Sequence, residues 1–218
     1  MQTGPVPRQR RSLRTQEKLL DALEQLLEAR FFEHITIQDI AATAGVAVGT
    51  VYRRFRNKEA LLPALYLRLD ARYEAWADTV WPTPRAAGRP ASPPALRERL
   101  RTLVAAHIRF YRRNAPILRT LYLQARLDPT LAEPAVARQR KALYRRLLGP
   151  VFEWYAAAGQ PAPSAARSRC FVLLLLSPLT ERCLFPDNTP AASLRISDRR
   201  FASELTEALY HYLLPTAD

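Results

Sequence analysis

Apolar residues in this chain recur mainly at intervals of three and four. Leu19, Leu20, Leu23, Leu26 and Leu27 make one such stripe, which ends near Phe31 and Phe32 and predicts a first amphipathic helix. Thr36 stands before the next apolar stretch. Its hydroxyl can accept a hydrogen bond from a free amide of the turn that follows, so a short second helix is expected through Ala44. Gly45 gives a turn, and a third short helix is expected from about Val48 to Phe55. Asn57 then caps a fourth, which carries Leu61, Leu62, Leu65, Leu69 and Trp76 toward Trp81. At about 1.5 Å per residue this fourth helix exceeds roughly 30 Å, long enough to join two domains. Pro63 falls just beyond its first turn, where a lost backbone bond predicts a kink and a candidate hinge.

Further along, Pro82 to Pro94 holds five prolines and one glycine, which is loop chemistry. Ser92 and Pro93 look like a helix start, and Leu96, Leu100, Leu103, His107 and Tyr111 form a stripe to Asn114. Another helix begins at Pro116. A longer one is expected over Pro134 to Ala158, with Gly149 and Pro150 as a bend, followed by Gly159 and Pro161 as a stop. Helices over 166–185 and 198–214 close the chain. The first contains Phe171 to Leu176, apolar on every side, and the second has Phe201, Leu205, Leu209 and Tyr212 at near-helical spacing. Alternating β-branched runs are absent. The fold class is therefore all-α, about nine helices, with a small three-helix N-terminal domain over 1–58 and a larger helical domain over 59–218.

Composition changes this picture only in places. The 218 residues are 48% hydrophobic, enough to bury a substantial core, and no apolar run approaches the roughly 18 residues of a membrane span. Met1 to Gln16 has no signal-like apolar stretch, so a cytoplasmic protein is expected. Cys170 and Cys183 read as small buried hydrophobes rather than as a disulfide or ligands. The net charge of +13 suggests an anionic partner, yet residues 1–60 carry 10 basic against 7 acidic side chains, so the surplus sits mostly downstream. Local clusters carry more meaning: Arg8, Arg10, Arg11 and Arg14 before the first stripe, read as either a minor-groove arm or a disordered tail, and Arg53, Arg54, Arg56 and Lys58 later.

The segment Ile40 to Phe55 places two short helices around Gly45, the layout of a helix-turn-helix. Ala41, Ala42 and Ala44 permit close helix approach, and Val46, Val51 and Phe55 supply the core between them. Val51 and Phe55 share one face of the third helix, so Thr50, Arg53 and Arg54 point outward, a hydroxyl and guanidinium face suited to DNA. The order and spacing of Phe32, Thr36, Ile40-Ala41, Ala44-Gly45-Val46, Gly49-Thr50, Tyr52, Phe55 and Asn57-Lys58-Glu59 resemble the N-terminal pattern of the TetR repressor family over about 50 residues.

That resemblance implies that Thr36, Tyr52 and Lys58 contact phosphates while Val48, Gly49, Thr50 and Arg53 approach base edges. Phosphate contacts position such a protein and base contacts specify its site. It also implies a homodimer through about 166–185 and 198–214, a palindromic double-stranded DNA operator, and repression relieved by an unknown small-molecule effector. Tyr73, Trp76, His107, Tyr111 and Tyr122 are candidate pocket residues, with core packing as the alternative for each. Two positions depart from the family pattern: Ala47 stands where a serine or threonine usually caps the recognition helix, and Phe31 where glycine is usual.

An enzyme is not expected, because GxGxxG, GxxxxGK, HExxH, GxSxG and CxxC are all missing. No cofactor or metal is expected either, since His34, His107 and His211 are scattered. The remaining alternatives are a DNA-binding protein without a ligand, or a helical protein-interaction module.

Overall fold

The computed structural model describes residues 7–80, 93–128, 144, 148–149, 151–153, 155–156, 163–187, 193 and 195–213. Among them the regular elements are all helical. They form two compact units, one of residues 1–71 with 116–131 and the other of 72–115 with 132–218.

In the first unit, α1 (Pro7–Ala29) buries Leu19, Leu20, Leu23 and Leu27, the stripe read from the sequence. Each such leucine contributes about 1.5 to 3 kcal/mol through the area it removes from water. The backbone is helical from Pro7, so Arg8 to Arg14 belong to the opening turns of α1 rather than to an extended arm or tail. Proline at the first helical position suits such a start, because its missing N–H has no partner there anyway. A single 3-10 turn (Phe32–His34) leads to α2 (Ile37–Ala44), which packs on α1 through Ile37, Ile40 and Ala41. Phe31 sits there at φ −71° and ψ 150°, an ordinary extended conformation, so its departure from glycine causes no backbone strain.

Gly45 ends α2 at φ 65° and ψ 39°, the left-handed region that glycine enters without a Cβ clash, and its N–H reaches back to the carbonyls of Ala41 and Ala42. The short α3 (Val48–Tyr52) then packs on α2 with Val51 buried. The Asn57 side chain accepts a hydrogen bond from the Ala60 amide at 3.0 Å, as a cap should. What it caps, however, is a 3-10 turn (Glu59–Leu61), and α4 proper runs Leu62–Val80. Pro63 therefore lies in the first turn of α4, where amides have no intrahelical partner. The change of helix type falls just before it.

Arg68 of α4 is tied to α1 by Glu17, Asp21 at 2.7 Å and Glu24 at 3.0 Å. Burial disfavours its charge, but the hydrogen bonds it donates to Glu17, Glu24 and Asp21 outweigh that and hold its pKa above the ordinary guanidinium value. The last helix of this unit, α6 (Ala115–Leu127), buries Ile117, Leu118 and Leu121, and the Leu121 carbonyl accepts from the Tyr66 hydroxyl at 2.9 Å.

The second unit is organised around α5 (Pro93–Arg113), which packs against both α7 (Ala165–Leu184) and α8 (Asp198–Leu213), themselves in contact. Leu100, Leu103, Phe171, Leu175, Leu179, Leu209 and Leu213 fill the space between them. Asp198 opens α8 and holds Arg112 and Arg182. The run Phe171 to Leu176 is not buried on all sides within the chain: Phe171 and Leu175 face the core, while Leu173 and Leu174 are 64% and 43% exposed. Cys183 is buried as expected, but Cys170 is exposed on the outer face of α7. The expected loop Pro82 to Pro94 and helix Pro134 to Ala158 lie largely outside the described residues; those described in the latter, among them 151–153 and 155–156, are helical.

Candidate nucleic-acid interface

Thr36 is the N-cap of α2 within a full capping box. Its hydroxyl accepts from the Asp39 amide at 3.1 Å, and the Asp39 carboxylate accepts from the Thr36 amide at 2.9 Å and from the Thr36 hydroxyl at 2.8 Å. The bond from the Thr36 backbone, helped by the Thr36 hydroxyl and by Arg30, holds the Asp39 carboxyl below its usual range. Thr36 stays exposed, so the hydroxyl that fixes the start of α2 also faces outward.

α3 begins at Ala47 with no side-chain cap, as its sequence implied. Along it, Gly49 is exposed and a Cβ there would meet nothing within 4 Å, so Gly49 leaves a smooth approach rather than fitting into a close contact. Val48 and Thr50 are half-buried at the foot of the same face, and Tyr52 is 52% exposed. Arg53 lies along the helix, its guanidinium donating to the Thr50 hydroxyl at 3.0 Å. Val48, Gly49, Thr50, Tyr52 and Arg53 thus form one continuous stretch with Val51 alone turned fully inward.

Lys58 is placed differently from its neighbours. Its ammonium donates to the carbonyls of Phe32, Glu33 and Ile35 at 2.9, 3.0 and 3.1 Å and lies 4.8 Å from the centroid of the Phe32 ring. An ammonium has three donors, and all three are used to close the turn between α1 and α2. Lys58 therefore fixes the platform of the helix-turn-helix, and a phosphate contact from it requires one of those protons to change partner.

Arg54, read from the sequence as pointing outward, is half-buried and donates to the Ser12 hydroxyl of α1 at 2.9 Å. With it, Ser12, Thr15, Gln16, Thr50 and Arg53 line a surface pocket of about 600 Å³ between α1 and the end of α3. Ser12, Thr15 and Gln16 recur at three and four residues on α1, and that polar stripe was the signal in the sequence that could have found them.

Among the candidate pocket residues, Tyr73, Trp76, His107 and Tyr111 belong to the second unit and Tyr122 to the first. Tyr73 and His107 are buried and joined. The Leu103 carbonyl, 2.9 Å from Nδ1, can only accept, so Nδ1 carries the proton and Nε2 accepts from the Tyr73 hydroxyl at 3.0 Å. Burial pushes the His107 imidazole down to about 4, against the opposing pull of the Leu103 carbonyl, so this ring is neutral. Tyr111 is buried in the core. Trp76 is half-exposed and stacks near Phe110, with ring centroids 4.8 Å apart. Phe110, Arg72, Arg109 and Arg113, missed in the sequence, surround Trp76 on a cleft. No group of three or more His, Cys, Asp or Glu side chains among the described residues is arranged for a metal, and no described helix is long and apolar enough to cross a membrane.

A capped helix, a left-handed glycine turn and a short outward-facing helix with a hydroxyl and guanidinium surface define a helix-turn-helix, and the regular elements among the described residues are all helical. Residues 19–65 match the family described as bacterial regulatory proteins, tetR family. Over 51 residues the chain is 39% identical to the uncharacterized HTH-type transcriptional regulator YvkB of Bacillus subtilis strain 168, a match that spans 23% of this chain and 27% of the relative. The fold is similar to that of a tetR-family bacterial regulatory protein from Rhodococcus RHA1, at TM-score 0.63 and 21% identity, covering 94% of this chain and 98% of that one. It is also similar to that of the TetR-like regulator LfrR from Mycobacterium smegmatis, solved in complex with proflavine, at TM-score 0.54 and 22% identity, covering 93% and 95%. Its N-terminal segment thus matches the TetR family of transcriptional regulators, and its fold is similar to that of solved TetR-family proteins.

Proposed function

We propose that this protein is a cytoplasmic, sequence-specific repressor that binds a palindromic operator as a homodimer and leaves it when a small molecule binds its second unit. The observation that carries DNA reading is the outward face of α3 and its C-cap, where Gly49, Tyr52 and Arg53 are exposed and Val48 and Thr50 half-buried, set on the platform made by the Thr36 capping box and the Lys58 clasp. Thr50 and Arg53 read base edges, Arg53 with the fork geometry that suits guanine, and Val48 and Gly49 allow close approach. Thr36, Tyr52 and Lys58 meet phosphates on either side, and the pocket lined by Ser12, Thr15 and Gln16 adds a further polar seat for the backbone.

Dimerisation is supported by an uncharged stripe on α7. Cys170, Leu173, Leu174 and Ser177 follow at three and four residues and are all exposed in the single chain. A second copy is the natural cover for such a stripe, because a two-fold interface presents the same patch from both sides. Two recognition helices then meet successive major grooves about 34 to 36 Å apart. Residues 1–58 read the operator and 59–218 carry ligand and dimer contacts, with α4 as the element common to both tasks. Effector release follows if the ligand prefers a conformation in which the two readers are wrongly spaced.

Selection of genomic DNA fragments on the purified protein tests this reading. A recurring site with two inverted half-sites is expected, and release of that site by a compound from a ligand screen completes it. Absence of any enriched sequence contradicts it.

A further inference from the structure

We infer that the cleft between the second half of α4 and the second half of α5 binds a flat, largely apolar anion, and that this is the effector class of the ligand-released regulator proposed above, on which reading the inference rests. Helical spacing builds the two walls. Arg72, Trp76 and Thr79 share a face of α4, and Thr102, Ala106, Phe110 and Arg113 share a face of α5. Ala75 and Ala106 face the gap with single methyl groups and so leave it open. The space between is about 840 Å³, within the range of small-molecule sites.

One side of this cleft is aromatic. Trp76 and Phe110 lie 4.8 Å apart and tilted by 40°, and Tyr73 meets the Phe110 ring edge-on at 4.9 Å, which stiffens the wall. The indole N–H of Trp76 makes no hydrogen bond to a described residue and remains available as a donor.

The charge of the cleft has one sign. Arg72, Arg109 and Arg113 line it, with no carboxylate among the lining residues. Several other arginines of the fold meet acids: Arg68 meets three, Arg97 meets Glu207 at 3.2 Å, and Arg112 and Arg182 share Asp198. Arg109 and Arg113 have no such partner among the described residues. Like charges around a concave, partly apolar surface concentrate potential there and repel a cationic ligand. Guanidinium groups bond carboxylate, sulfonate and phosphate oxygens two at a time. An acidic group beside the arginines, with a ring system against Trp76 and Phe110, satisfies both sides of the cleft.

Two fluorescent probes of similar size test the charge directly: anilinonaphthalene sulfonate, an aromatic anion, and phenylnaphthylamine, its neutral counterpart. The full-length protein is expected to bind the sulfonate about tenfold more tightly than the neutral probe. In the double variant Arg109→Gln, Arg113→Gln, sulfonate affinity is expected to drop by about tenfold while binding of the neutral probe stays unchanged, which also reports an intact fold. Arg126→Gln, on α6, is the control and changes neither. Equal affinity of the natural protein for the two probes, or undiminished sulfonate binding in the double variant, overturns the inference.

DNA release is read separately on the selected operator. Charge-selective binding without release keeps the anion site and removes the ligand-released mechanism. Release by neutral compounds alone keeps the mechanism and removes the anion.

Discussion

The ammonium of Lys58 donates to the carbonyl of Phe32 at 2.9 Å while lying over the ring of the same residue, at 4.8 Å from its centroid. Together with the bonds to Glu33 and Ile35, this contact ties the residue that opens the 3-10 turn Glu59–Leu61 to the turn between α1 and α2, on which the helix-turn-helix rests. Truncation by Lys58→Ala removes the charge-assisted donors from three carbonyls at once, and a loss of about 1 to 3 kcal/mol is expected in chemical denaturation. In DNA binding the same variant is expected to weaken all sequences alike, with a salt slope shallower by about 1. A change in stability below about 0.5 kcal/mol contradicts the clasp, and an unaltered salt slope removes Lys58 from the phosphate contacts.

Ala47 offers the opposite case, a position where a contact can be added. The N-terminus of α3 has no side-chain cap, and Ala47 already holds the extended backbone a capping residue uses, at φ −68° and ψ 143°. Ala47→Ser is expected to raise stability by about 0.5 to 1 kcal/mol and to tighten operator binding through a hydroxyl next to the recognition helix. A thermal melt and a binding titration on one operator check both effects. Unchanged stability would show that the short helix is already fixed by Val51 and its packing on α2.

His107 makes stability depend on pH. It is fully buried and neutral, with a folded pKa of about 4 against an ordinary value of 6.5. Below pH 6.5 the unfolded chain takes up a proton that the folded chain refuses until about pH 4. The contribution of His107 is therefore complete above 6.5, falls as pH drops through the interval, and levels off near 4. The full difference corresponds to about 3 kcal/mol, an upper figure. Denaturation midpoints across this range are expected to fall more steeply in the natural protein than in His107→Gln, which keeps polar groups but cannot titrate. Parallel pH profiles contradict a neutral buried imidazole.

Leu173 and Leu174 are large apolar side chains left uncovered in the single chain. Placing a charge on that stripe, as in Leu173→Glu with Leu174→Glu, sets like charges of two copies against each other. A shift from dimer to monomer in sedimentation is expected, with loss of operator binding but retained helical content. A variant that sediments as the natural protein does would place the dimer contact elsewhere.

Local relationships were legible in the sequence and distant ones were not. The stripe of α1, the Thr36 cap, the Gly45 turn and the absent cap at Ala47 all follow from residues within a few positions of each other, and each is found where the spacing put it. The clasp of Lys58 reaches back 23 to 26 residues and the acids around Arg68 stand 44 to 51 residues away, so neither had a local signature. Pro63 was misplaced for a related reason: a proline signals the loss of one N–H but not whether a 3-10 turn precedes it. The aromatic stripe of His107 and Tyr111 is amphipathic on either reading, and only packing shows that these two face the core whereas Trp76, one turn after Tyr73, borders a cleft. Arg109 and Arg113 were hidden by abundance, since 33 basic side chains do not reveal which of them lack an acid among the described residues.

The central claim is that α3 reads DNA sequence through Arg53. Its most direct test is the affinity of natural protein and Arg53→Ala for the selected operator and for each single base-pair substitution within one half-site. The account predicts that Arg53→Ala weakens binding to the best site by about 1 to 3 kcal/mol and abolishes discrimination at one base pair while leaving it intact at the others. If the variant discriminates at every position as the natural protein does, Arg53 reads no base.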